Sequence, residues 1–419
     1  MLLEFTVGNY RSFYEKRTLS LCAQGLQEEP MSNVIKQGKY SILRSVAVYG
    51  ANSSGKSNLI KALRQMNHCV LASVKLNPDD KLPYDPFLLN EFGEMEPTFF
   101  EVEFLQNDTH YRYGFQYNRD RIVGEWLFVV LNKRSERTLF IRNEEGIGFD
   151  ENNFPEGLGK VEATEDNRLF ISLCAQLKGP VSQQVMAWFQ DGINTLSGIN
   201  NDVYRDYTTF LFHEQKPESK DVMGIFSDLQ LGFESVMTHE EKIQFPNDIP
   251  DELKRIILDK TEGKNVVVDA VHKKYDKRGN PIGSINFDFE DRESAGTNKM
   301  FDLAGPIVDT LQGGKTLIID ELDAKMHPLI SQYIIRLFNN PEKNPKNAQL
   351  IFTTHDTHLL SAKLLRRDQI WFTEKDGSEQ TDLYNMMDVV FPDGTKPRND
   401  SNYEKNYIAG RYGAIPYIK

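Results

Sequence analysis

Long apolar runs, paired cysteines and an excess of basic residues are all missing from this sequence. No apolar stretch approaches the roughly 20 residues that a membrane-spanning helix needs. The opening residues MLLEFTVGNYRSF lack the basic and then apolar order of a secretory signal. We therefore expect a cytoplasmic protein that makes no contact with a membrane.

Cysteine usage excludes two further classes. Cys22, Cys69 and Cys174 are odd in number, lie far apart and show no CxxC spacing. Neither a disulfide framework nor a structural zinc site fits that pattern. We expect all three cysteines to be small buried hydrophobic residues.

The charge balance is acidic. The sequence has 61 acidic residues against 49 lysines and arginines, which gives a net charge of −12. This balance opposes nonspecific nucleic-acid binding by a monomer, although it leaves room for a local basic groove. Short basic clusters at 273–278 and at 366–367 are expected to be solvated edges.

The length of 419 residues and a hydrophobic share of 39% predict two or three compact units. Internal repeats, low-complexity tracts and sustained heptads are absent from the sequence, so a long coiled coil is not expected. Alternating residues predict a strand at 2–13, and 41–50 reads as a second strand that ends at Gly50. Apolar residues at helical spacing then predict a helix over 57–74, with Leu59, Leu63, Met66 and Val70 on one face.

Later segments divide into two patterns. Short alternating runs over 98–142 predict antiparallel hairpins. The run 166–177 is either a strand or a buried helix, 180–260 is mainly helical, and 266–291 is a hairpin that turns at 278–280. In the last third, short apolar runs at 316–320, 350–356 and 369–373 alternate with a helix at 329–338, which predicts a parallel α/β sheet.

A glycine-rich loop between the second strand and the first helix fits the pattern GxxxxGK[ST]. It consists of Gly50, Ala51, Asn52, Ser53, Ser54, Gly55, Lys56 and Ser57. The glycines let backbone N–H groups surround phosphate oxygens, and the helix N-terminus adds positive potential. Lys56 would reach the β and γ phosphates of ATP, and Ser57 would bind Mg²⁺.

Carboxylates follow a later strand. Asp320 ends the run TLIID, where it can hold Mg²⁺ or its water shell, and Glu321 is placed to polarise the attacking water. His355 follows the next strand and could bond the γ-phosphate or that water. A competing reading makes His355, Asp356 and His358 metal ligands, but their spacing is awkward.

Ser294 and Gly296 precede a helix in the run ESAGTNK. A serine and a glycine at a helix start form an anion-binding end, which a nucleotide already cradled by 50–57 would not need. A second subunit facing the first would use it. The alternative is an ordinary N-cap.

These motifs, in their order GANSSGKS, ESAGTNK, TLIIDELDAKMHP and IFTTHD, resemble the ABC-type, SMC-like ATPases grouped with the AAA proteins. The narrower resemblance is to the RloA-like ATPases of bacterial abortive-infection and anti-phage operons. It is carried by FTVGNYRSF, YDPFLL, YRYGF, RDQIWFTEK and GRYGAIP. The resemblance runs nearly the whole length of the chain.

The resemblance implies a head that forms a homodimer, or a higher homo-oligomer, around ATP and Mg²⁺. Ser294 and Gly296 would then act in trans on the γ-phosphate held by the partner's P-loop lysine, and His355 would be the switch histidine. It also implies a dimer-facing loop at 322–323 and a base-binding region at 9–13. Gln176 is one candidate for the Q-loop glutamine, beside an ordinary structural role.

Differences between this sequence and related ATPases exclude some of the functions that the resemblance would otherwise allow. The signature is ESAGTNK and not LSGGQ, which argues against a transporter motor, and the missing coiled-coil arm argues against long-range DNA tethering. Only 64 residues follow His355, too few for the nuclease domain of OLD-type relatives. We therefore expect a separately encoded, nuclease-like effector.

The expected fold is an α/β, ABC-type P-loop NTPase head with a mixed central sheet, an antiparallel β-subdomain and a helical lobe. The expected domains are 1–165, 166–285 and 286–419. The expected activity is hydrolysis of ATP that controls the effector in an anti-phage system. One alternative is an ATP-dependent DNA clamp in repair or recombination, which leaves nucleic acid open as a partner. Another is a structural ATP site, which Glu321 argues against.

Overall fold

The computed structural model describes residues 1–26, 28, 30–132, 135–197, 202–242 and 264–416. The chain divides into two compact units. The first comprises Met1–Gly198, Thr310–Asp323 and Ser331–Lys419, and the second comprises Ile199–Asp309 and Ala324–Ile330. Among the described residues, none of the helices is both long and apolar enough to cross a membrane. The three-domain division expected from the sequence stays a prediction.

The described strands fall into four sheets. In chain order they are β1 (Leu2–Gly8), β2 (Arg17–Ser20), β3 (Val34–Gln37), β4 (Tyr40–Leu43), β5 (Ser45–Gly50), β6 (Thr98–Gln106), β7 (Thr109–Tyr117), β8 (Ile122–Asn132), β9 (Ser135–Asn143), β10 (Gly146–Phe149), β11 (Ile193–Ser197), β12 (Ser235–Lys242), β13 (Lys264–Tyr275), β14 (Pro281–Asp288), β15 (Thr316–Asp320), β16 (Gln349–Thr353), β17 (Ile370–Lys375) and β18 (Thr381–Asn385).

The described α-helices are α1 (Lys56–Ala72), α2 (Phe170–Gln176), α3 (Pro180–Asp191), α4 (Asp202–His213), α5 (Glu218–Asp228), α6 (Phe289–Arg292), α7 (Ala295–Gly313), α8 (Pro328–Asn339) and α9 (Tyr403–Ile408). Helix α1 buries the four apolar side chains that the sequence placed on one face. The prediction for this helix is therefore confirmed.

The first unit contains a six-stranded mixed sheet in the order β11–β15–β16–β5–β17–β18. All neighbours pair in parallel except β18, which is antiparallel to β17 at one edge. Strands β5 and β16 are buried along their whole length, as the continuous apolar runs predicted. Because these strands are parallel, their carboxyl ends meet at one edge of the sheet. That edge carries the predicted phosphate loop and carboxylates.

The same unit contains a seven-stranded antiparallel sheet in the order β10–β9–β8–β7–β6–β1–β2. Aromatic side chains fill the space between this sheet and α3, and the Phe104 and Trp188 rings stack with centroids 4.1 Å apart. The hairpins expected over 98–142 are confirmed. The mixed central sheet and the separate antiparallel sheet confirm the expected fold class.

A buried carboxylate joins this sheet to α2. The backbone N–H groups of Phe170 and Ile171 donate to the Glu125 carboxylate over 2.7 and 3.1 Å, and the Tyr113 hydroxyl donates over 3.0 Å. Glu125 is fully buried. Burial raises its pKa, while the Arg142 charge and these donors act in the opposite direction. The carboxylate thus satisfies backbone donors at the helix N-terminus that would otherwise be left unpaired.

The second unit combines helices with the three-stranded antiparallel sheet β12–β13–β14. A cluster of phenylalanines forms its centre, and Phe289 and Phe301 lie 4.7 Å apart between ring centroids. The hairpin expected over 266–291 is confirmed by the pairing of β13 with β14. Residues 243–263, part of the stretch predicted to be helical, lie outside the described residues.

Four secondary-structure predictions need correction or completion. The strand expected at 2–13 is shorter, because β1 ends at Gly8. The single strand expected at 41–50 is two strands, because β4 pairs with β3 while β5 pairs in the central sheet. Arg44 separates them, and its guanidinium donates to the backbone oxygens of Ser32 and Asn344. The ambiguous run 166–177 contains helix α2. Within 180–260, β11 and β12 are strands that helical periodicity did not predict.

Arg366 and Arg367 are not a solvated edge as predicted. Arg366 is only 1% exposed and pairs with Asp368 through Nη2 and Oδ2, 2.8 Å apart. Arg367 forms an ion pair with the buried Glu28. Each guanidinium is paired with a carboxylate, which is the condition under which charged groups tolerate burial.

The cysteine prediction is right for two residues and wrong for the third. Cys69 and Cys174 are buried, whereas Cys22 is exposed, and none of the three forms a disulfide. Cys22 forms an isolated bridge with Ile42 of β4. Its side chain therefore lies outside the core, and its backbone meets β4 at this one bridge.

Candidate functional site

The phosphate loop connects β5 to α1 and depends on two glycines. A Cβ atom at Gly50 would lie 2.5 Å from the Ser54 hydroxyl and from the Thr373 backbone oxygen. Gly55 has a φ of +110°, and a Cβ there would collide with the Thr381 side chain. Both positions therefore exclude a side chain, which lets the loop backbone pack closely against Thr373 and Thr381.

Lys56 is only 5% exposed and begins α1. Its ammonium donates to the backbone oxygens of Gly50 and Ala51 over 2.8 and 3.0 Å. Burial lowers the pKa of Lys56 to about 8, although the carboxylates at 320–323 favour the charged form. The Lys56 ammonium is thus held against the loop by two uncharged backbone oxygens.

Thr353 joins the side chain of Asp320, the predicted magnesium ligand, to the backbone of Glu321, the predicted catalytic residue. Its hydroxyl donates to Asp320 Oδ1 over 2.6 Å and accepts the backbone N–H of Glu321 over 2.7 Å. The N–H of Leu322 donates to the Thr353 backbone oxygen over 3.0 Å. Glu321 has a φ of +56°, a region that non-glycine residues rarely occupy. With this strained backbone conformation at Glu321, the chain turns sharply at the end of β15.

His355 lies two residues beyond β16. Its backbone N–H donates to Asp323 Oδ1 over 3.3 Å. Burial, and then the charge of Lys56, lower the pKa of His355 and favour the neutral ring. The competing metal set is not supported, because Asp356 pairs with His358 at 2.9 Å and no group of three ligating residues converges within the described ranges.

Ser12, in the N-terminal motif FTVGNYRSF, reaches the phosphate loop through Thr381. Thr381 Oγ1 donates to the backbone oxygen of Ser54 over 3.0 Å and bonds the Ser12 hydroxyl over 2.8 Å. The Asn58 amide also donates to the Ser12 hydroxyl over 2.8 Å. Residues far apart in the chain thus clamp the loop between the first strand region and β18.

A cavity of about 340 Å³ opens beside this clamp. Its walls include Arg11, Ser12, Asn58, Lys375 and the segment 85–89. Asn58 follows the phosphate loop by one residue, so the cavity adjoins the loop. The assignment of 9–13 to base binding stays a prediction.

Ser294 and Gly296 lie in the second unit, at the start of α7. Ser294 is exposed, and its hydroxyl accepts the N–H of Thr297 over 3.1 Å as an N-cap. A Cβ at Gly296 would meet the Lys325 backbone oxygen at 3.4 Å, an ordinary contact. The exposed serine is therefore accessible to a second molecule, and the glycine is not required for packing within the chain.

The loop before α7 is anchored on both sides. Glu293 accepts from His272 Nε2 of β13 over 2.6 Å. The Asn298 amide donates to the Glu293 backbone oxygen over 3.2 Å and accepts from Arg205 of α4 over 3.0 Å. Glu293 thus positions the loop before α7 through its bond to β13.

Two further expectations concern residues near these motifs. Leu322 is fully buried, so only Asp323 of the expected dimer-facing pair could meet a partner. Gln176 is exposed at the last residue of α2, and its role as the Q-loop glutamine stays a prediction.

Sequence reasoning missed the threonines that hold this site. Thr353, Thr373 and Thr381 each bond a residue distant in the chain. The only signal was the position of Thr353 and Thr373 near the carboxyl ends of apolar strands. Nothing in the sequence pattern indicated a role for Thr381. Its partner Ser54 is far away in the sequence, and the pairing of β18 with β17 brings the two residues together.

The residues present fit a magnesium nucleotide. The loop precedes the N-terminus of α1, and Lys56 at the start of that helix supplies a cation. Ser57 in the first turn of α1 and Asp320 offer the oxygen ligands that Mg²⁺ prefers. Thr353 engages one oxygen of the Asp320 carboxylate and leaves the other for a cation.

A family model described as "AAA domain, putative AbiEii toxin, Type IV TA system" matches residues 45–170 and 195–361, about 70% of the chain. The chain belongs to this AAA domain family. Its matched residues include the phosphate loop, the exposed Ser294, both carboxylates and His355. No curated protein sequence matches this AAA domain protein significantly.

Solved structures resemble the AAA domain protein only distantly. The Smc head bound to the C-winged helix domain of ScpA shares 13% identity and a TM-score of 0.46, over 92% of this chain and 97% of that one. The SMC head domain from Thermotoga maritima shares 10% identity and a TM-score of 0.42, over 92% of this chain and 98% of that one. Similarity at this level transfers neither activity nor partner.

Proposed function

We propose that this protein hydrolyses the β–γ bond of ATP in the cytoplasm and uses the resulting cycle to control a separately encoded effector. The observation that carries the proposal is the convergence of Lys56, Asp320, Glu321 and His355 at the carboxyl edge of one parallel sheet. Ligands of open α/β sheets bind at this edge.

Each residue has a separate task in the proposed reaction. Lys56 leaves its backbone acceptors and binds the β and γ phosphates, and the loop N–H groups hold the remaining oxygens. Glu321 takes the proton of a water whose oxygen attacks the γ phosphorus. The bond from that phosphorus to the bridging oxygen breaks, and ADP leaves with its electron pair.

Other groups support this step. Bound through Ser57 and Asp320, Mg²⁺ would neutralise charge on the β and γ oxygens. Thr353 fixes both carboxylate residues by its two hydrogen bonds. His355, with its neutral ring favoured, donates one N–H towards the γ-phosphate and acts as the switch histidine.

We further propose a homodimer that encloses ATP between two copies. The exposed N-cap Ser294 and the small Gly296 support this arrangement, since a helix start with free N–H groups is suited to a partner's γ-phosphate. The closed dimer would hold the effector, and the opened dimer would release it. The family description supports an abortive-infection or toxin–antitoxin setting for that effector.

The first experiment measures steady-state ATPase activity of Lys56→Ala, Ser294→Arg and their equimolar mixture. Each variant alone should be inactive. If dimers form at random, half are mixed and carry one intact composite site, so the mixture should recover about a quarter of the wild-type rate. A Lys56→Ala protein with the normal rate would refute the site, and a mixture without recovery would refute action in trans.

A second experiment tests effector control. Glu321→Gln removes the proton acceptor and should keep ATP enclosed. Its complex with the product of the neighbouring reading frame should survive gel filtration with ATP and dissociate without nucleotide. Equal binding in both states would exclude control by the nucleotide cycle.

A further inference from the structure

Residues 84–96, here called the acidic loop, expose a set of apolar side chains. Leu88 and Leu89 are each 60% exposed, Phe92 is 51% exposed and Met95 is 80% exposed. Glu91 and Glu94 are exposed among them. Apolar side chains in water forgo the free energy that burial would give, so a cluster of this kind marks a contact surface.

The acidic loop is held firmly in this exposed form. Asn9, only 3% exposed, donates through Nδ2 to the backbone oxygens of Gly93 and Glu96 over 2.8 and 2.6 Å. Its Oδ1 accepts the N–H of Phe87 over 3.1 Å, and the Tyr84 hydroxyl donates to the Glu96 oxygen over 2.6 Å. The loop is therefore preorganised, which lowers the entropic cost of binding.

A groove of about 550 Å³ runs between the acidic loop and the turn 118–120. The carboxylates of Asp85, Glu94 and Asp120 line it together with the apolar Leu88 and Met95. Arg119 also lines the groove and carries a positive charge. Asp85 and Asp120 are paired with Arg11 and Lys81, each over 2.8 Å, so Glu94 and the nearby Glu91 supply most of the negative charge beside this apolar contact surface.

Residues 273–282, here called the basic hairpin, form the turn between β13 and β14. Tyr275 and Ile282 are 55% and 60% exposed. Four cations are exposed around them: Lys274, Lys277 and Arg278, and Lys273, which pairs with Glu234 at 2.9 Å. The hairpin therefore has the same mixture of apolar and charged groups as the acidic loop, with the opposite sign.

The tip of the basic hairpin is also rigid. The Asp276 carboxylate accepts the N–H groups of Arg278 and Asn280, each over 2.8 Å, and Gly279 adopts a φ of +82°. Such a turn fixes the directions in which the cations project. Its single acidic side chain is occupied by these bonds.

We propose that the basic hairpin of one copy docks on the acidic loop of a second copy. The chain supplies both halves of the contact, the signs are complementary, and both halves are exposed in the chain by itself. The contact needs no nucleotide, so it differs from the ATP-enclosing dimer. Because it joins two different surfaces, it closes into a pair or ring, or continues as a chain of copies.

Sedimentation velocity of the full chain without nucleotide tests the contact. Self-association should appear at micromolar concentrations in 50 mM NaCl and weaken in 500 mM NaCl, since the Debye length falls from more than ~10 Å to less than ~8 Å. A chain that stays monomeric at low salt and high concentration would overturn the proposal. The two surfaces would then serve a different partner.

Charge reversal identifies the surfaces. Reversing the loop with Glu91→Lys and Glu94→Lys, or the hairpin with Lys274→Glu and Lys277→Glu, should raise the dissociation constant at least about tenfold. An equimolar mixture of the two variants should associate within about threefold of wild type, because each loop then meets a hairpin of opposite sign. This recovery also shows that both variants are folded.

The matched control is Glu144→Lys with Glu145→Lys, two exposed acids on the turn between β9 and β10. It changes the net charge as much as the loop reversal does. Because the chain is acidic, the control substitutions reduce the repulsion between its copies. Association should therefore be unchanged or stronger. If the control weakens association as much as the loop reversal, or if the mixture fails to recover, the assignment of surfaces is wrong.

Discussion

ATP binding at alkaline pH should take up a proton at Lys56. Before the nucleotide arrives, Lys56 is 5% exposed and its ammonium donates to the backbone oxygens of Gly50 and Ala51. Burial lowers its pKa to about 8. A triphosphate adjacent to the same group favours the charged form strongly, so the pKa should return to its ordinary value or above on binding.

The size of the effect follows from that pKa. With a pKa of about 8, roughly three quarters of Lys56 is neutral at pH 8.5 and roughly a tenth at pH 7. Binding should therefore take up about 0.75 proton per ATP at pH 8.5 and about 0.1 at pH 7 through this lysine. At pH 8.5 the nucleotide itself is fully deprotonated and adds nothing.

Isothermal titration calorimetry measures this number directly. ATP is titrated in EDTA, which prevents turnover, in two buffers that differ in ionisation enthalpy, and the difference in apparent enthalpy gives the protons taken up. Lys56→Arg is the control, because a guanidinium stays charged at both pH values. Uptake at pH 8.5 that equals the Arg variant's, or is the same as at pH 7, would refute the reasoning.

Three mutational predictions follow from other contacts. Gly55→Ala should destabilise the fold by about 3 kcal/mol because it combines a positive φ with a collision, whereas Gly279→Ala, at a positive φ in open space, should cost about 1 kcal/mol. Glu125→Ala should cost about 3–5 kcal/mol, since it leaves buried donors unpaired, against less than ~0.5 kcal/mol for the exposed Glu145→Ala. Thr353→Val should lower kcat about 10- to 100-fold with little change in KM, and Thr353→Ser should retain most activity.

Urea unfolding measures the first two effects, and steady-state kinetics measures the third. Equal losses for Gly55→Ala and Gly279→Ala would mean that the collision is relieved by local movement. A Glu125→Ala protein as stable as the exposed control would show that the helix end finds other acceptors. If Thr353→Val raised KM and spared kcat, the threonine would act in binding and not in positioning the carboxylates.

Much of the fold could be predicted from residue pattern because the pattern reflects local burial. The all-apolar runs of β15 and β16 identified buried parallel strands, and the hairpins over 98–142 followed from alternation between turn residues. The pattern failed at Arg44, where two strands that belong to different sheets follow each other without a turn signal. The pattern also failed to predict strand β11. This strand pairs with β15, which lies more than a hundred residues away in the sequence, so local periodicity does not reveal it.

The sequence by itself determined the phosphate loop, the two carboxylates after β15 and the histidine after β16. Those residues are recognisable because each follows directly from a local pattern of strand, glycine and charge. Only the tertiary structure decided that Thr353 bonds both carboxylate residues, that Thr381 and Ser12 clamp the loop, and that Arg366 is buried against Asp368. Most of these contacts join residues separated by tens to hundreds of positions, and such pairs are selected by packing in space, which leaves no periodic trace along the chain.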